Sequence, residues 1–232
     1  MMSVVHIETR GVVAKAVSAS DRLKRLKLAL ETKARNRDHG AMAQSDTPYL
    51  SGRLLVAMPG IDDTRFERSV IFLCAHDADH AMGLTINRPV DGLTIANLLK
   101  RLDVEPIKDA GRELVLMGGP VEPERGFVLH TDDYACEPTS MTIPGGLVLT
   151  ATREVLEALA GRQSNPRRAI MTLGYAGWDG GQLEREIRAN VWLVCEPDEA
   201  LLFDHDHEHK WSRALAKIGV AAERLSAQTG RA

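Results

Sequence analysis

Aromatic residues make up only 4% of this 232-residue chain, and cysteine occurs just three times. Cys74, Cys136 and Cys195 are far apart and odd in number. No CxxC spacing exists, so neither a redox dithiol nor a zinc knuckle can be read. Cys74 and Cys195 each end an apolar run, which predicts small buried hydrophobes in a reducing compartment. No stretch approaches the roughly 18 consecutive apolar residues of a membrane span. The N-terminus also lacks the continuous apolar segment of a secretory signal. Together these absences predict a cytoplasmic chain.

Catalytic signatures are missing as well. The sequence contains no GxSxG elbow, no HExxH, no GxGxxG and no Gly-Lys-Ser/Thr phosphate loop. No helix-turn-helix is legible. Asp62-Asp63 and Asp132-Asp133 are acidic pairs, but adjacent carboxylates in one turn point apart and define no acid/base couple. They read as turn or cap residues. Ser69 and His130 are far apart in sequence and make a dyad only if the fold joins them. The residues therefore assign no catalytic, cofactor-binding or metal-binding position, and no cofactor is expected.

What is present is a substantial apolar fraction, 44%, so the core must be built from Leu, Val, Ile, Ala and Met. The formal charge of −3 is unevenly spread. Residues 1–40 hold nine Lys/Arg against four Asp/Glu, about +5, which leaves about −8 for the rest. A domain this acidic is a poor partner for a phosphate backbone, so direct nucleic-acid binding is disfavoured. Residues 1–48 read as a basic arm outside the fold. Ser20-Asp21 can cap a helix from Arg22 with Leu23, Leu26, Leu28 and Leu30 on it, followed by a polar linker over residues 32–46. Met42, before Ala43-Gln44-Ser45-Asp46, is a second candidate start. Residues 49–232 form the domain.

Within the domain the texture alternates. Strands are predicted over residues 53–58, 69–75, 81–86, 113–117, 126–130, 169–173 and 191–195. A hairpin is predicted around Pro144-Gly145-Gly146. Proline at position 89 is expected to stop the third strand. Helices are predicted from Thr94 to Leu102, with Ile95, Leu98, Leu99 and Leu102 on one face, and over residues 152–159, 182–189 and 209–218. Several strands run consecutively, so the expected class is α+β, a mixed β-sheet with flanking helices in a single compact domain.

Gly118-Gly119-Pro120 and Gly174-Tyr175-Ala176-Gly177-Trp178 each follow a predicted strand, the second leading towards a helix. Such turns either serve tight backbone geometry or present N–H groups to an anion. Asn87, Arg88, His130, Tyr175, Trp178 and Gln182 also fall at or just past predicted strand ends, where ligand crevices often form. With Gly118 and Gly119 they make up the candidate ligand or partner surface. If the ends converge, Arg88 supplies a fixed cation, and Tyr175 and Trp178 a stacking area. The alternative is that Trp178 covers core and Arg88 meets a carboxylate. His205, His207 and His209 alternate with Asp206 and Glu208, a pattern prone to adventitious metal binding but placed in a polar loop.

The strings Ser51-Gly52-Arg53-Leu54-Leu55-Val56-Ala57-Met58-Pro59, Phe66-Glu67-Arg68-Ser69-Val70-Ile71 and Ala81-Met82-Gly83-Leu84-Thr85-Ile86-Asn87-Arg88-Pro89 carry a resemblance. So do Gly118-Gly119-Pro120-Val121, Gly126-Phe127-Val128-Leu129-His130, Gly174-Tyr175-Ala176-Gly177-Trp178 and Gly181-Gln182-Leu183-Glu184. In this order, over residues 50–230, the chain resembles the AlgH/YqgE family of small bacterial proteins. The resemblance implies a compact α+β fold and a cytoplasmic location. It also implies an association, in one branch, with transcriptional control of alginate production. It brings no reaction, cofactor or catalytic residue. The expected function is a non-enzymatic binding or regulatory protein whose partner is a protein or a small-molecule ligand. The alternative is an enzyme acting on a small anionic metabolite in a crevice near Arg88, His130 and Trp178.

Overall fold

The computed structural model describes residues 49–107, 111–134, 140–161 and 165–222. The expected arm over residues 1–48 and Cys136 lie outside the described residues. Among the described residues ten strands and five α-helices follow one another: β1 (Leu54–Ala57), β2 (Val70–His76), β3 (His80–Thr85), β4 (Pro89–Thr94), α1 (Ile95–Arg101), β5 (Leu114–Met117) and β6 (Val121–Thr131). The chain continues with β7 (Ser140–Ile143), β8 (Leu147–Thr150), α2 (Arg153–Leu159), β9 (Ala169–Asp179), α3 (Gln182–Arg188), β10 (Trp192–Cys195), α4 (Glu199–Phe203) and α5 (Lys210–Lys217). The strand order is β10-β1-β2-β3-β9-β6-β8-β7, and β5 joins both β4 and β9. Among the described strands every pairing is antiparallel except that of β5 with β9. The domain is thus α+β, with the sheet dominating over the helices.

The apolar runs have a direct cause. Side chains alternate across a strand, and in β1 Leu54 and Val56 enter one core cluster while Leu55 and Ala57 enter another. All four are 0% exposed, because the sheet is covered on both faces there. The first cluster lies under α4 and α5, with Leu201, Phe203, Trp211 and Leu215; the second packs against Leu183 of α3, with Trp178 and Trp192. A third cluster sets Leu98 and Leu99 of α1 and Val155 and Leu156 of α2 against β5, β6 and β9. The apolar face predicted for the helix after Thr94 is the one buried, and Thr94 caps it with a reciprocal box to Asn97.

Three elements differ from the expectation. Pro89 does not end the ladder. It begins β4, paired with Leu116, at a first strand position where a missing N–H does no harm. The strand expected to stop at Leu173 runs on to Asp179, so Tyr175 and Trp178 sit inside β9 rather than in a turn before a helix. Gly174, at φ +68°, bends this strand without ending it. Finally, α4 was not expected. It is a five-residue helix, started by the Asp198 carboxylate accepting from Leu201 N–H at 2.8 Å.

The exit of α4 is held by a fully buried lysine. Lys210 Nζ donates to the carbonyls of Leu201 (2.6 Å) and Leu202 (3.2 Å) and lies 3.1 Å from Asp204 Oδ1. A cation against the last carbonyls of a helix satisfies acceptors that have no intrahelical partner.

Candidate functional site

The predicted surface residues fall into separate neighbourhoods. Thr172 pairs with Leu116 of β5 and with Phe127 of β6, so those two strands lie on opposite edges of β9. The chain joining them must therefore cross β9, and it does so at Gly118-Gly119. Gly118 N–H donates to Leu173 O at 2.8 Å, and its carbonyl accepts from Thr85 N–H at 2.8 Å, so three strands meet there. A Cβ on Gly119 would lie 2.2 Å from the carbonyl carbon of Tyr175, and one on Gly118 would lie 2.3 Å from Gly174 O. Reciprocally, a Cβ on Gly174 would lie 2.4 Å from Gly119 O. Backbone packs directly on backbone here. Tyr175 is half-buried beside the crossing, edge-on to Phe127 at 5.8 Å.

Trp178 lies elsewhere. It pairs with Ala81 near the start of β3, six residues before Asn87, or about 20 Å along a strand. Its indole N–H donates to Glu186 Oε2 at 2.8 Å, and the Trp192 indole donates to the same oxygen at 2.7 Å. The two indoles meet edge to face at 5.9 Å. Gln182 completes the set, donating to Glu186 Oε1 at 2.8 Å and accepting from Asp179 N–H at 3.1 Å. Both Trp178 and Gln182 are thus tied to one carboxylate.

His130 is at the opposite end of β9, paired with Ala169, on the order of 30 Å from the level of Trp178. It is 0% exposed. Nδ1 is 2.8 Å from Thr131 O, a pure acceptor, so the proton sits on Nδ1 and Nε2 accepts from the Thr150 hydroxyl at 2.9 Å. Burial pushes the imidazole's pKa down from 6.5, against the pull of that carbonyl. Ser69 is not its partner, since Ser69 Oγ accepts from Arg88 Nε at 3.1 Å. The aspartates act as local fasteners. Asp63 accepts from Arg65 N–H at 3.0 Å and starts a one-turn 3-10 helix, Thr64–Phe66, while Asp133 accepts from Arg167 N–H at 2.9 Å.

Asn87 and Arg88 do converge on something: the backbone of residues 67–70, just before β2. Asn87 Oδ1 accepts from Val70 N–H at 2.8 Å, and its amide donates to Arg68 O at 2.9 Å. Arg88 donates to Glu67 O as well as to Ser69 Oγ. Between these grips Arg68 has φ +52°, a left-handed conformation that costs a side-chain-bearing residue energy unless its surroundings enforce it. The guanidinium of Arg68 stands 5.6 Å over the ring of Trp211. Trp211 is itself fixed by an indole bond to Ala57 O at 2.8 Å. Reading the sequence missed Arg68, Ser69 and Trp211 as site residues. Arg68 and Ser69 lay inside one of the strings that carried the resemblance, which was the available signal.

Trp211 lies in the first turn of α5, just after the histidine segment. His205 and His207 rings are 6.5 Å apart, and His209 Nδ1 is bound by Asp206 Oδ1 at 2.8 Å, which raises its pKa. Burial lowers that of His207. Among the described residues no three His, Cys, Asp or Glu side chains gather as a metal site. Cys74 and Cys195 are both buried, and burial drives the Cys74 thiol far up in pKa, so it is inert as a nucleophile. Among the described residues no helix is long and apolar enough to cross a membrane.

The chain is similar to known proteins over nearly the whole described domain. A UPF0301 protein of Caulobacter vibrioides is 59% identical over 187 residues, covering 81% of this chain and 96% of the relative. One from Methylobacterium nodulans is 49% identical over 191 residues, covering 79% and 90%. The solution structure of the AlgH protein from Pseudomonas aeruginosa superposes with a TM-score of 0.64 at 40% identity, over 82% of this chain and all of that one. The AlgH-like family profile matches residues 54–223, and the chain belongs to that family.

Proposed function

We propose that this is a cytoplasmic binding or regulatory protein that meets its partner at the corner built by residues 67–69, Asn87, Arg88 and Trp211. One observation carries the reading. Arg88 bonds to the Glu67 carbonyl before Arg68, and Asn87 bonds to Arg68 O and Val70 N–H after it, so the pair holds an exposed arginine in a left-handed conformation. Strain enforced at a surface position is characteristic of recognition sites. In this reading residues 1–48 are an appended basic arm, and any transcriptional effect is indirect, through the partner.

The alternative of an enzyme with a crevice near Arg88, His130 and Trp178 finds no support in the geometry. His130 is sealed with both ring nitrogens bonded, and Trp178 lies far from both it and Arg88. The test is genetic. Asn87→Ala and Arg88→Ala are introduced into the host alongside a deletion, and partners are captured by crosslinking in cells. The expected result is that both variants accumulate as folded protein yet reproduce the deletion phenotype. If folded Asn87→Ala and Arg88→Ala behave as wild type, the corner is not the site.

A further inference from the structure

We propose that Arg68 is a preorganised fork that reads a single carboxylate on a partner protein. The inference rests on the corner being the binding surface and adds the chemistry recognised there. An exposed arginine normally loses much rotamer freedom when a ligand immobilises it. At Arg68 much of that order exists beforehand. The backbone is clamped by Asn87 and Arg88, and the guanidinium lies over the buried, hydrogen-bonded Trp211 ring.

A guanidinium held over a ring by cation–π attraction spends none of its N–H donors on that contact, and its planar fork matches two oxygens of a carboxylate. Arg68 makes no ion pair or side-chain hydrogen bond among the described residues. Several other arginines differ in this respect. Arg53 faces Glu196, Arg65 faces Asp63, Arg153 faces Glu157, Arg167 and Arg168 share Glu199, and Arg213 faces Asp204.

Charge decides between a carboxylate and a phosphate. Glu67 adjoins Arg68 and is exposed, and the segment bearing Trp211 also bears Asp204 and Asp206, against Lys210 and Arg213. Arg68, Arg88, Lys210 and Arg213 stand against Glu67, Asp204, Asp206 and Glu208, so the corner has no surplus of either sign, on a domain whose residues beyond position 40 sum to about −8. That suits a monoanion carried by an otherwise neutral or basic segment, and it repels dianions and polyanions.

The experiment uses the full chain and two probes: an acetylated, amidated dipeptide whose only charge is one glutamate carboxylate, and inorganic phosphate. The Arg68 Nε–H and Trp211 indole resonances are followed by NMR. The dipeptide is expected to shift both saturably with an affinity on the order of millimolar. Arg68→Lys, which keeps the charge and loses the fork, is expected to bind at least about tenfold more weakly, with Arg68→Gln weaker still. Phosphate is expected to bind more weakly than the dipeptide. No saturable shift, undiminished binding by folded Arg68→Lys, or tighter binding of phosphate would each overturn the proposal. The two readings fail separately. A cellular partner retained by Arg68→Lys but lost with Asn87→Ala sinks only the carboxylate fork, whereas one retained by Asn87→Ala and Arg88→Ala sinks the corner itself.

Discussion

At the crossing over β9, Gly118, Gly119 and Gly174 bring two backbones together by leaving side chains out. At the Arg68 corner, Asn87 and Arg88 hold a backbone in place by putting side chains in. The two regions are neighbours, since Met117 N–H donates to Arg88 O at 2.7 Å, yet they fail in different ways. The crossing has no slack, because its contacts are backbone that cannot rotate aside. The corner is made of hydrogen bonds near solvent, each worth about 1 kcal/mol and replaceable in part by water. The crossing therefore governs whether the domain folds, and the corner governs what a folded domain presents.

Substitutions sharpen that contrast. Gly119→Ala is expected to have the largest effect, a loss of about 3 kcal/mol or no soluble protein, measured by urea unfolding. Glu186→Ala comes next. It leaves the indole N–H groups of Trp178 and Trp192 without their acceptor and is expected to cost about 2 kcal/mol.

His130 gives a signature in pH. Burial lowers its folded pKa below 6.5, so below that value the unfolded chain takes up more protons than the folded one. Stability is then lost as pH falls from about 7 to about 5, and the advantage of wild type over His130→Gln should shrink over that range. His207 is shifted the same way, so the comparison is made in a His207→Gln background. An advantage that stays constant with pH would show that His130 does not titrate in this way.

Asn87→Ala is expected to cost about 1 kcal/mol, less than either substitution at the packed sites, while abolishing partner capture. Arg68→Lys should change stability least, within about 0.5 kcal/mol, and still weaken carboxylate binding. If Asn87→Ala unfolded the domain as thoroughly as Gly119→Ala, the distinction between the regions would collapse.

Much of this architecture was legible in the sequence. The apolar run at β1 marked a strand, and the spacing after Thr94 marked α1. Where a single residue type was taken as a stop signal, the reading went astray. Pro89 starts a strand because only its N–H is missing, and Gly174 bends β9 because the strand continues to find partners in β3. The candidate site was legible in part. Asn87 and Arg88 announce themselves as polar residues at a strand's end, but their target, the backbone of residues 67–70, and the ring of Trp211 are brought to them by the sheet. A left-handed φ at an arginine leaves no trace in composition or periodicity. Strand ends also do not say which of them lie together, which is why Trp178 and His130 fell into one list with residues tens of ångströms away.

The pairing of β1 with β10, and the bond from Trp211 to Ala57 across 154 positions of sequence, have a bearing on how the protein is made. Of the described strands, β1 is the first to leave the ribosome and its partner β10 the last. Until β10 and α5 emerge, one edge of β1 stays open and part of its apolar surface uncovered. Contacts this distant along the chain slow folding. The nascent chain must therefore pass through a sticky, half-finished sheet, and a stop codon shortly before Trp192 would leave a product fit mainly for aggregation or degradation.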